Sequence, residues 1–139
     1  MKILVTGGCG YVGSVLIPKL LKKNYKIISI DTQWFGNFLP KHKNLKNIKI
    51  NVNDIDKIKI KGVDTIIHLA SIANDPMAEL NKNLSWETSA LGTLKLVNYA
   101  IKNKVRRIIY SSSGSVYGIK SDLRVHEKLS LNPLSLYNK

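Results

Sequence analysis

The stretch that decides the fold is a glycine-rich turn near the amino terminus, Thr6-Gly7-Gly8-Cys9-Gly10-Tyr11-Val12-Gly13. A short apolar run, residues 2–6, comes directly before this turn, and apolar residues at helical spacing follow it over residues 11–23. A buried strand that enters a helix through a tight glycine turn is therefore predicted.

The spacing of the glycines predicts that this turn binds a phosphate. Gly7 permits the tight bend, Gly10 lets backbone N–H groups approach a pyrophosphate, and Gly13 lets the helix pack closely on the sheet. Asp31 ends the next apolar run, 18 positions after Gly13 and near the roughly 20 expected for a ribose-binding acid. Its carboxylate would bind ribose hydroxyls and repel the additional phosphate of NADP. NAD is therefore the predicted cofactor; an ordinary turn residue is the alternative interpretation of Asp31.

Apolar runs and helical segments alternate along the rest of the chain. Further strands are predicted, in order, at residues 27–30, 48–52, 63–69 and 107–111, with one or two helices within residues 76–103. This order predicts right-handed crossovers and a Rossmann-type α/β fold, a doubly wound parallel sheet with its ligand crevice at the carboxyl ends of the strands. Since no repeat or linker interrupts the pattern, residues 1–139 are interpreted as one NAD-binding domain.

Several ring-bearing and apolar residues are predicted to be structural. Trp34 and Phe35 stand in a long loop, residues 32–47, and are expected to pack within that loop rather than flank an adenosine pocket. His68 lies in a predicted buried strand and is interpreted as a hydrogen-bonded core histidine, and no metal site is predicted. A helix face against the sheet is expected from Leu91, Leu94 and Val97.

The composition predicts a folded protein without a membrane span. The chain has 139 residues, of which 44% are hydrophobic and 22% charged, as in ordinary globular proteins. Its longest apolar runs fall far below the roughly 18 residues that a spanning helix needs, and no apolar leader precedes the first strand. The single cysteine, Cys9, cannot form an internal disulfide, which fits a reducing compartment. A cytoplasmic protein is therefore expected.

The strong positive charge raises nucleic-acid binding as a hypothesis. Lys and Arg number 22 against 9 Asp and Glu, a net charge of +13. The lysines are scattered singly, however, and no basic run carries interleaved aromatic residues that could stack on bases. A solvated basic surface is therefore favoured, and a non-catalytic dinucleotide- or nucleic-acid-binding module is kept as the alternative function.

A second motif, residues 111–118, follows the fifth predicted strand and reads Ser-Ser-Ser-Gly-Ser-Val-Tyr-Gly, with Tyr137 arriving 24 residues after Ser113. Together with the glycine turn, Asp31, His68-Leu69-Ala70 and Leu91-Gly92-Thr93, this motif resembles the extended short-chain dehydrogenase/reductases, specifically the NAD-dependent sugar-nucleotide epimerase/dehydratase family. The resemblance covers the whole chain and rests on five ordered motifs.

The resemblance implies two catalytic residues. Ser113 would hydrogen-bond the reacting sugar oxygen, and Tyr137 would exchange its proton as hydride passes between the sugar and the nicotinamide. In the family a lysine four residues after the tyrosine stabilises the phenolate, but position 141 lies beyond this chain, and Lys139, two residues after Tyr137, points elsewhere on a helix. We therefore expect an incomplete domain that stops two residues before the catalytic lysine and before the substrate-binding region, and that lacks turnover by itself.

The resemblance also implies which residues contact the cofactor. Asn51 replaces the acid that usually meets adenine, and its amide oxygen can still accept a hydrogen bond from the exocyclic amine. The predicted cofactor-binding residues are Gly7, Gly10, Tyr11, Val12, Gly13, Asp31, Asn51, Val52, Leu69, Ala70, Ser111 and Ser112.

The function implied for the complete enzyme is an NAD-dependent nucleotide-sugar epimerase, which oxidises and re-reduces one sugar carbon. Dehydratases of the family carry an Asp-Glu pair after the catalytic hydroxyl residue, whereas Gly114 and Ser115 stand here and cannot supply that proton. A dehydratase or a simple reductase remains the alternative. The helix that holds Leu94 also corresponds to the family's dimer interface, so a homodimer is a further expectation.

Overall fold

The computed structural model describes residues 1–121 and 123–138. The strands are β1 (Lys2–Thr6), β2 (Lys26–Asp31), β3 (Leu45–Lys49), β4 (Thr65–His68) and β5 (Arg107–Tyr110). The α-helices are α1 (Tyr11–Lys22), α2 (Asp75–Leu80), α3 (Lys82–Trp86) and α4 (Gly92–Lys102). A π-helical turn, Glu87–Leu91, joins α3 to α4, and short 3-10 helices cover Val52–Lys57, Gly114–Tyr117 and Leu136–Asn138.

In the described part of the chain the five strands form one parallel sheet in the order β3-β2-β1-β4-β5. The chain first moves outward on one side of β1, through β2 and β3, and then crosses to the other side to add β4 and β5. The strand order therefore reverses beside β1, and the carboxyl ends of β1 and β4 border the crevice where such sheets bind ligands. The predicted doubly wound Rossmann-type sheet is confirmed.

Hydrophobic residues cover both faces of the sheet. Ile3, Val5 and Ile27 pack with α1 on one face, while Leu4 and Ile66 pack on the other face with the 3-10 helix Val52–Lys57 and with α4. Because alternate residues of β1 point to opposite faces and both faces are buried, this strand is apolar at every central position. The same burial explains why β1 and β2 are the clearest strands in the sequence.

The third strand was predicted at residues 48–52 but forms at Leu45–Lys49. It is an edge strand, so its exposed positions carry Lys46 and Lys49, and its apolar signal is broken. The apolar residues that suggested a later strand leave the sheet instead: the Asn51 side chain accepts a hydrogen bond from the Asn53 N–H and begins the 3-10 helix.

The predicted inward face of the last long helix, Leu91, Leu94 and Val97, was wrong, and Val97 is only half-buried. Leu91 and Leu94 are exposed, and the side chains of α4 that reach the core are Leu96, Tyr99 and Ala100. Helix α4 carries two apolar stripes, one with Leu94 and Ile101 and one with Leu96, Tyr99 and Ala100, and the helical spacing alone does not say which of them meets the sheet. In the described part of the chain, no helix has both the length and the apolar character needed to cross a membrane.

Candidate functional site

The glycine turn between β1 and α1 has the geometry of an anion-binding turn. Gly7 has a φ of +69°, and a Cβ there would lie 2.7 Å from the backbone nitrogen of Ala70, so only glycine fits. Gly10 caps α1 without a side-chain hydrogen bond, and a Cβ at Gly10 would meet only the Gly7 carbonyl, at 3.3 Å. The first turn of the twelve-residue helix α1 therefore has no side-chain cap, and its residues line the cleft described below, which fits a bound pyrophosphate.

The close approach of the turn to the sheet depends on a glycine that the sequence interpretation passed over. A Cβ on Gly13 would lie 2.5 Å from the carbonyl oxygen of Gly8, so Gly13 packs on the turn itself and not on the sheet. Gly8 is the residue that meets the sheet, since a Cβ there would collide with Ser29 Oγ of β2 and lie 2.8 Å from Ile17 Cδ1. The position of Gly8 in the sequence, between Gly7 and Gly10 of the motif, was the signal that could have identified it.

Asp31 lies at the carboxyl end of β2, where its carboxylate joins two loops. Oδ2 accepts a hydrogen bond from the backbone N–H of Cys9 at 3.0 Å, and Oδ1 accepts one from Gln33 at 2.6 Å. Each carboxylate oxygen keeps a further lone pair that can accept a hydroxyl proton. Asp31 can therefore bind a ribose while it holds the glycine turn in place.

A cleft of about 570 Å³ opens along the carboxyl edge of the sheet. All twelve residues predicted to bind the cofactor border it, although they come from five separate stretches of chain. The part of the wall that the predictions missed includes Cys9, Ile30, Thr32, Ile50, Ile72, Asn74, Met77 and Thr88. The open glycine turn, the carboxylate and the size of the cleft together fit a dinucleotide such as NAD.

Trp34 and Phe35 also line this cleft, contrary to the expectation that they pack within their loop. Their side chains are 53% and 75% exposed. The loop is instead anchored by Leu39, which packs against the cluster of buried residues on the α1 face. The aromatic residues are left at the mouth of the cleft beside Asp31.

His68 is a core histidine, as predicted. Thr93 Oγ1 donates to the Ser89 carbonyl, so it accepts from His68 Nε2 at 2.9 Å, and the unprotonated Nδ1 accepts from Thr6 Oγ1 at 2.6 Å. Burial lowers the pKa of His68 to about 4, because the charged ring would lose its hydration. His68 therefore links β1 to α4 in the neutral form. Thr6 Oγ1 also accepts the N–H groups of Leu69 and Ala70 at the cleft wall.

The two predicted catalytic residues lie at one end of the cleft. Ser113 and Tyr137 both border a small cavity of about 60 Å³ next to the main cleft, and Tyr137 borders both spaces. Ser113 Oγ is 2.5 Å from Ser115 Oγ, which in turn donates to Asn138 Oδ1. Ser89 also borders the small cavity. Lys139, which was predicted to point elsewhere, lies outside the described residues.

Comparison with known proteins agrees with this geometry. A family model described as the NAD dependent epimerase/dehydratase family matches residues 3–139. A putative UDP-glucose 4-epimerase of Methanocaldococcus jannaschii is 36% identical, with 97% of this chain and 46% of the relative covered.

Solved structures show the same fold. A UDP-N-acetylglucosamine 4-epimerase from Methanobrevibacter ruminantium, in complex with UDP-N-acetylmuramic acid, superposes with a TM-score of 0.89 at 30% identity, covering 99% of this chain and 46% of that one. DesIV, a dTDP-glucose 4,6-dehydratase from Streptomyces venezuelae with NAD and TYD bound, gives a TM-score of 0.91 at 26% identity, covering 99% and 47%. The chain thus spans about half the length of the relatives it matches. It belongs to the NAD dependent epimerase/dehydratase family.

Proposed function

We propose that this chain forms the NAD-binding part of an enzyme that epimerises a nucleotide-linked sugar. The observation that carries the proposal is the cleft at the strand ends, where the open glycine turn faces Asp31 and the Ser113–Tyr137 end lies across the sheet. NAD, when bound, supplies the hydride acceptor and donor for the sugar carbon. The names of the matched relatives favour a UDP-linked sugar as the substrate.

Within this proposal the protein's residues divide the work between the two ends of the cleft. The first-turn N–H groups of α1 bind the pyrophosphate, and Asp31 accepts the hydroxyls of the adenosine ribose. Ser113 orients the reacting sugar oxygen, and the Tyr137 hydroxyl gives and takes its proton. The Ser115 hydroxyl donates its proton to Asn138 Oδ1, so it accepts the hydrogen bond from the Ser113 hydroxyl. This bond holds the Ser113 hydroxyl beside the small cavity.

An epimerase is favoured over a dehydratase by the side chains after Ser113. Elimination of water needs an acid, but Gly114 has no side chain and the Ser115 hydroxyl is bonded to Asn138. A reductase needs the same hydride-transfer groups and is separated from an epimerase only by its products.

The proposed cofactor site is tested by calorimetric titration of the chain with NAD and with NADP. We expect NAD to bind more tightly than NADP. Asp31→Asn keeps an oxygen that can accept a hydrogen bond from a backbone N–H but loses the negative charge. The ratio of the affinity for NAD to the affinity for NADP should therefore fall by roughly tenfold or more. Equal affinity of the unmodified chain for both cofactors would contradict the role given to Asp31.

Three further expectations remain part of the proposal. The 139-residue chain should bind NAD without converting UDP-galactose into UDP-glucose, and steady formation of the epimer would refute this. The exposed apolar side of α4, with Leu94 at 60% exposure and Ile101 at 71%, should contribute to a homodimer. Leu94→Glu should weaken this homodimer, which analytical ultracentrifugation measures.

A cytoplasmic location is supported by the free thiol of Cys9.

A further inference from the structure

Two aromatic side chains border the cleft without being covered by the protein. Trp34 is 53% exposed and Phe35 is 75% exposed, and both line the cleft wall next to Asp31. Exposed aromatic surface beside a concave site is stabilised when a ligand covers it, because apolar area leaves water. The position of these rings therefore favours a ligand group that is flat and partly apolar.

The backbone that carries the two rings is held in place. Gly36 donates its N–H to the Gln33 carbonyl at 3.1 Å, closing a β-turn with Trp34 and Phe35 at its centre. Gln33 in turn donates to Asp31 Oδ1 at 2.6 Å. The other oxygen of the same carboxylate is bonded to the glycine turn. One carboxylate thus holds the backbone of the aromatic turn relative to the proposed pyrophosphate site, so this backbone need not be ordered when a ligand binds.

We propose that Trp34 and Phe35 form an aromatic cover for the adenine of bound NAD. This inference rests on the proposed function, in which Asp31 binds the adenosine ribose; the base attached to that ribose must then lie close to the turn that starts at Gln33. Aromatic side chains stack on nucleobases through their π-faces. The nicotinamide end is remote, because β2 and β5 lie on opposite sides of β1 and β4 and Tyr137 borders the β5 end.

The uracil of a nucleotide-sugar is also a planar base and offers the same stacking chemistry. Asp31, whose carboxylate is bonded to the first residue of the aromatic turn, is the proposed ribose-binding group. We therefore assign this end of the cleft to the dinucleotide. The two sources are distinguished by comparing adenine-containing ligands with a uridine-containing one.

Tryptophan fluorescence reports on the proposed contact directly. The chain has two tryptophans, so Trp86→Phe leaves Trp34 as the single emitter. Trp86 lies at the end of α3 and does not line the cleft. We expect NAD and ADP-ribose to change the emission of Trp34 on binding, and nicotinamide mononucleotide and UDP-glucose to leave it unchanged. A change with UDP-glucose but not with ADP-ribose would overturn the assignment to adenine.

Calorimetry then measures what the contact contributes. Trp34→Ala should raise the Kd for NAD roughly tenfold, and Trp34→Phe should retain most of the affinity because the flat ring remains. Trp86→Ala is the matched control, since Trp86 is 58% exposed, and it should bind NAD like the unmodified chain. If NAD binds but neither Trp34 emission nor the Trp34→Ala affinity changes, the aromatic cover is refuted and the proposed function stands. If NAD does not bind at all, both are refuted.

Discussion

At the scale of single residues, His68 predicts how stability depends on pH. Burial lowers the pKa of His68 from 6.5 to about 4. Below pH 6.5 this side chain therefore binds a proton in the unfolded chain but not in the folded chain. The contribution of His68 is complete above about pH 6.5 and is lost as the pH falls toward 4. Between pH 7 and 5, the free energy of unfolding should decrease by about 2 kcal/mol through this residue.

Urea denaturation at several pH values measures that decrease. The measurement is made between pH 7 and 5 because carboxylates titrate mainly below about pH 5. His68→Gln should abolish most of the slope, whereas His126→Gln, at an exposed position, should keep it. An unchanged slope in His68→Gln would show that other groups cause the pH dependence.

Gly8 and Ser29 make a second prediction at residue scale. A methyl group at Gly8 would collide with Ser29 Oγ, which is buried and has no hydrogen-bond partner. Gly8→Ala should therefore reduce the free energy of unfolding by about 1–3 kcal/mol, and Ser29→Ala in the same chain should recover part of it. The matched variant Gly10→Ala should cost less stability, because its methyl group would meet only the Gly7 carbonyl, at 3.3 Å. Equal losses for the two glycines in thermal or urea unfolding would contradict the packing role of Gly8.

At the scale of elements, Thr93 couples β4 to α4. Its hydroxyl donates to the Ser89 carbonyl at 2.5 Å and accepts from His68 Nε2 at 2.9 Å, so it closes the π-helical turn Glu87–Leu91 against the sheet. Thr93→Val keeps the shape but leaves the buried ring N–H unpaired, which should lower the free energy of unfolding by about 1–3 kcal/mol. Thr93→Ser retains the hydroxyl and should restore most of it in urea unfolding. A loss of stability in Thr93→Ser with none in Thr93→Val would show that the methyl group matters instead of the hydroxyl.

The elements also show which parts of the fold a sequence can predict. β1 and β2 were located well because both faces of the sheet are buried and their apolar runs are continuous. β3 was displaced because lysines interrupt an edge strand. The inward face of α4 was misassigned because the helix carries two apolar stripes, and only its packing against the sheet determines that Leu96, Tyr99 and Ala100 are the buried ones.

At the scale of the whole molecule, the site was easier to predict than its details. Parallel strands bring their carboxyl ends to one edge, so residues from distant stretches border one cleft once the strand order is known. The orientation of Trp34 could not be predicted, since it depends on the β-turn between Gln33 and Gly36 and on the carboxylate that anchors it. Side-chain direction in a loop follows from such local hydrogen bonds, which composition does not reveal.

Because the net charge is +13, the salt dependence of binding separates the proposed function from nucleic-acid binding. In the proposed site NAD is held by backbone N–H groups and by a carboxylate, so few counterions are released when it binds. Its affinity should change by less than about tenfold between about 50 and 200 mM salt. A duplex DNA held by many lysine–phosphate contacts would lose roughly a thousandfold or more over the same range. Calorimetry with NAD and fluorescence anisotropy with labelled DNA measure both in the same buffers. Tight DNA binding at about 50 mM salt that weakens in this way at the higher salt, with no heat from NAD, would favour a nucleic-acid-binding module, because the basic surface and not the cleft would then carry the function.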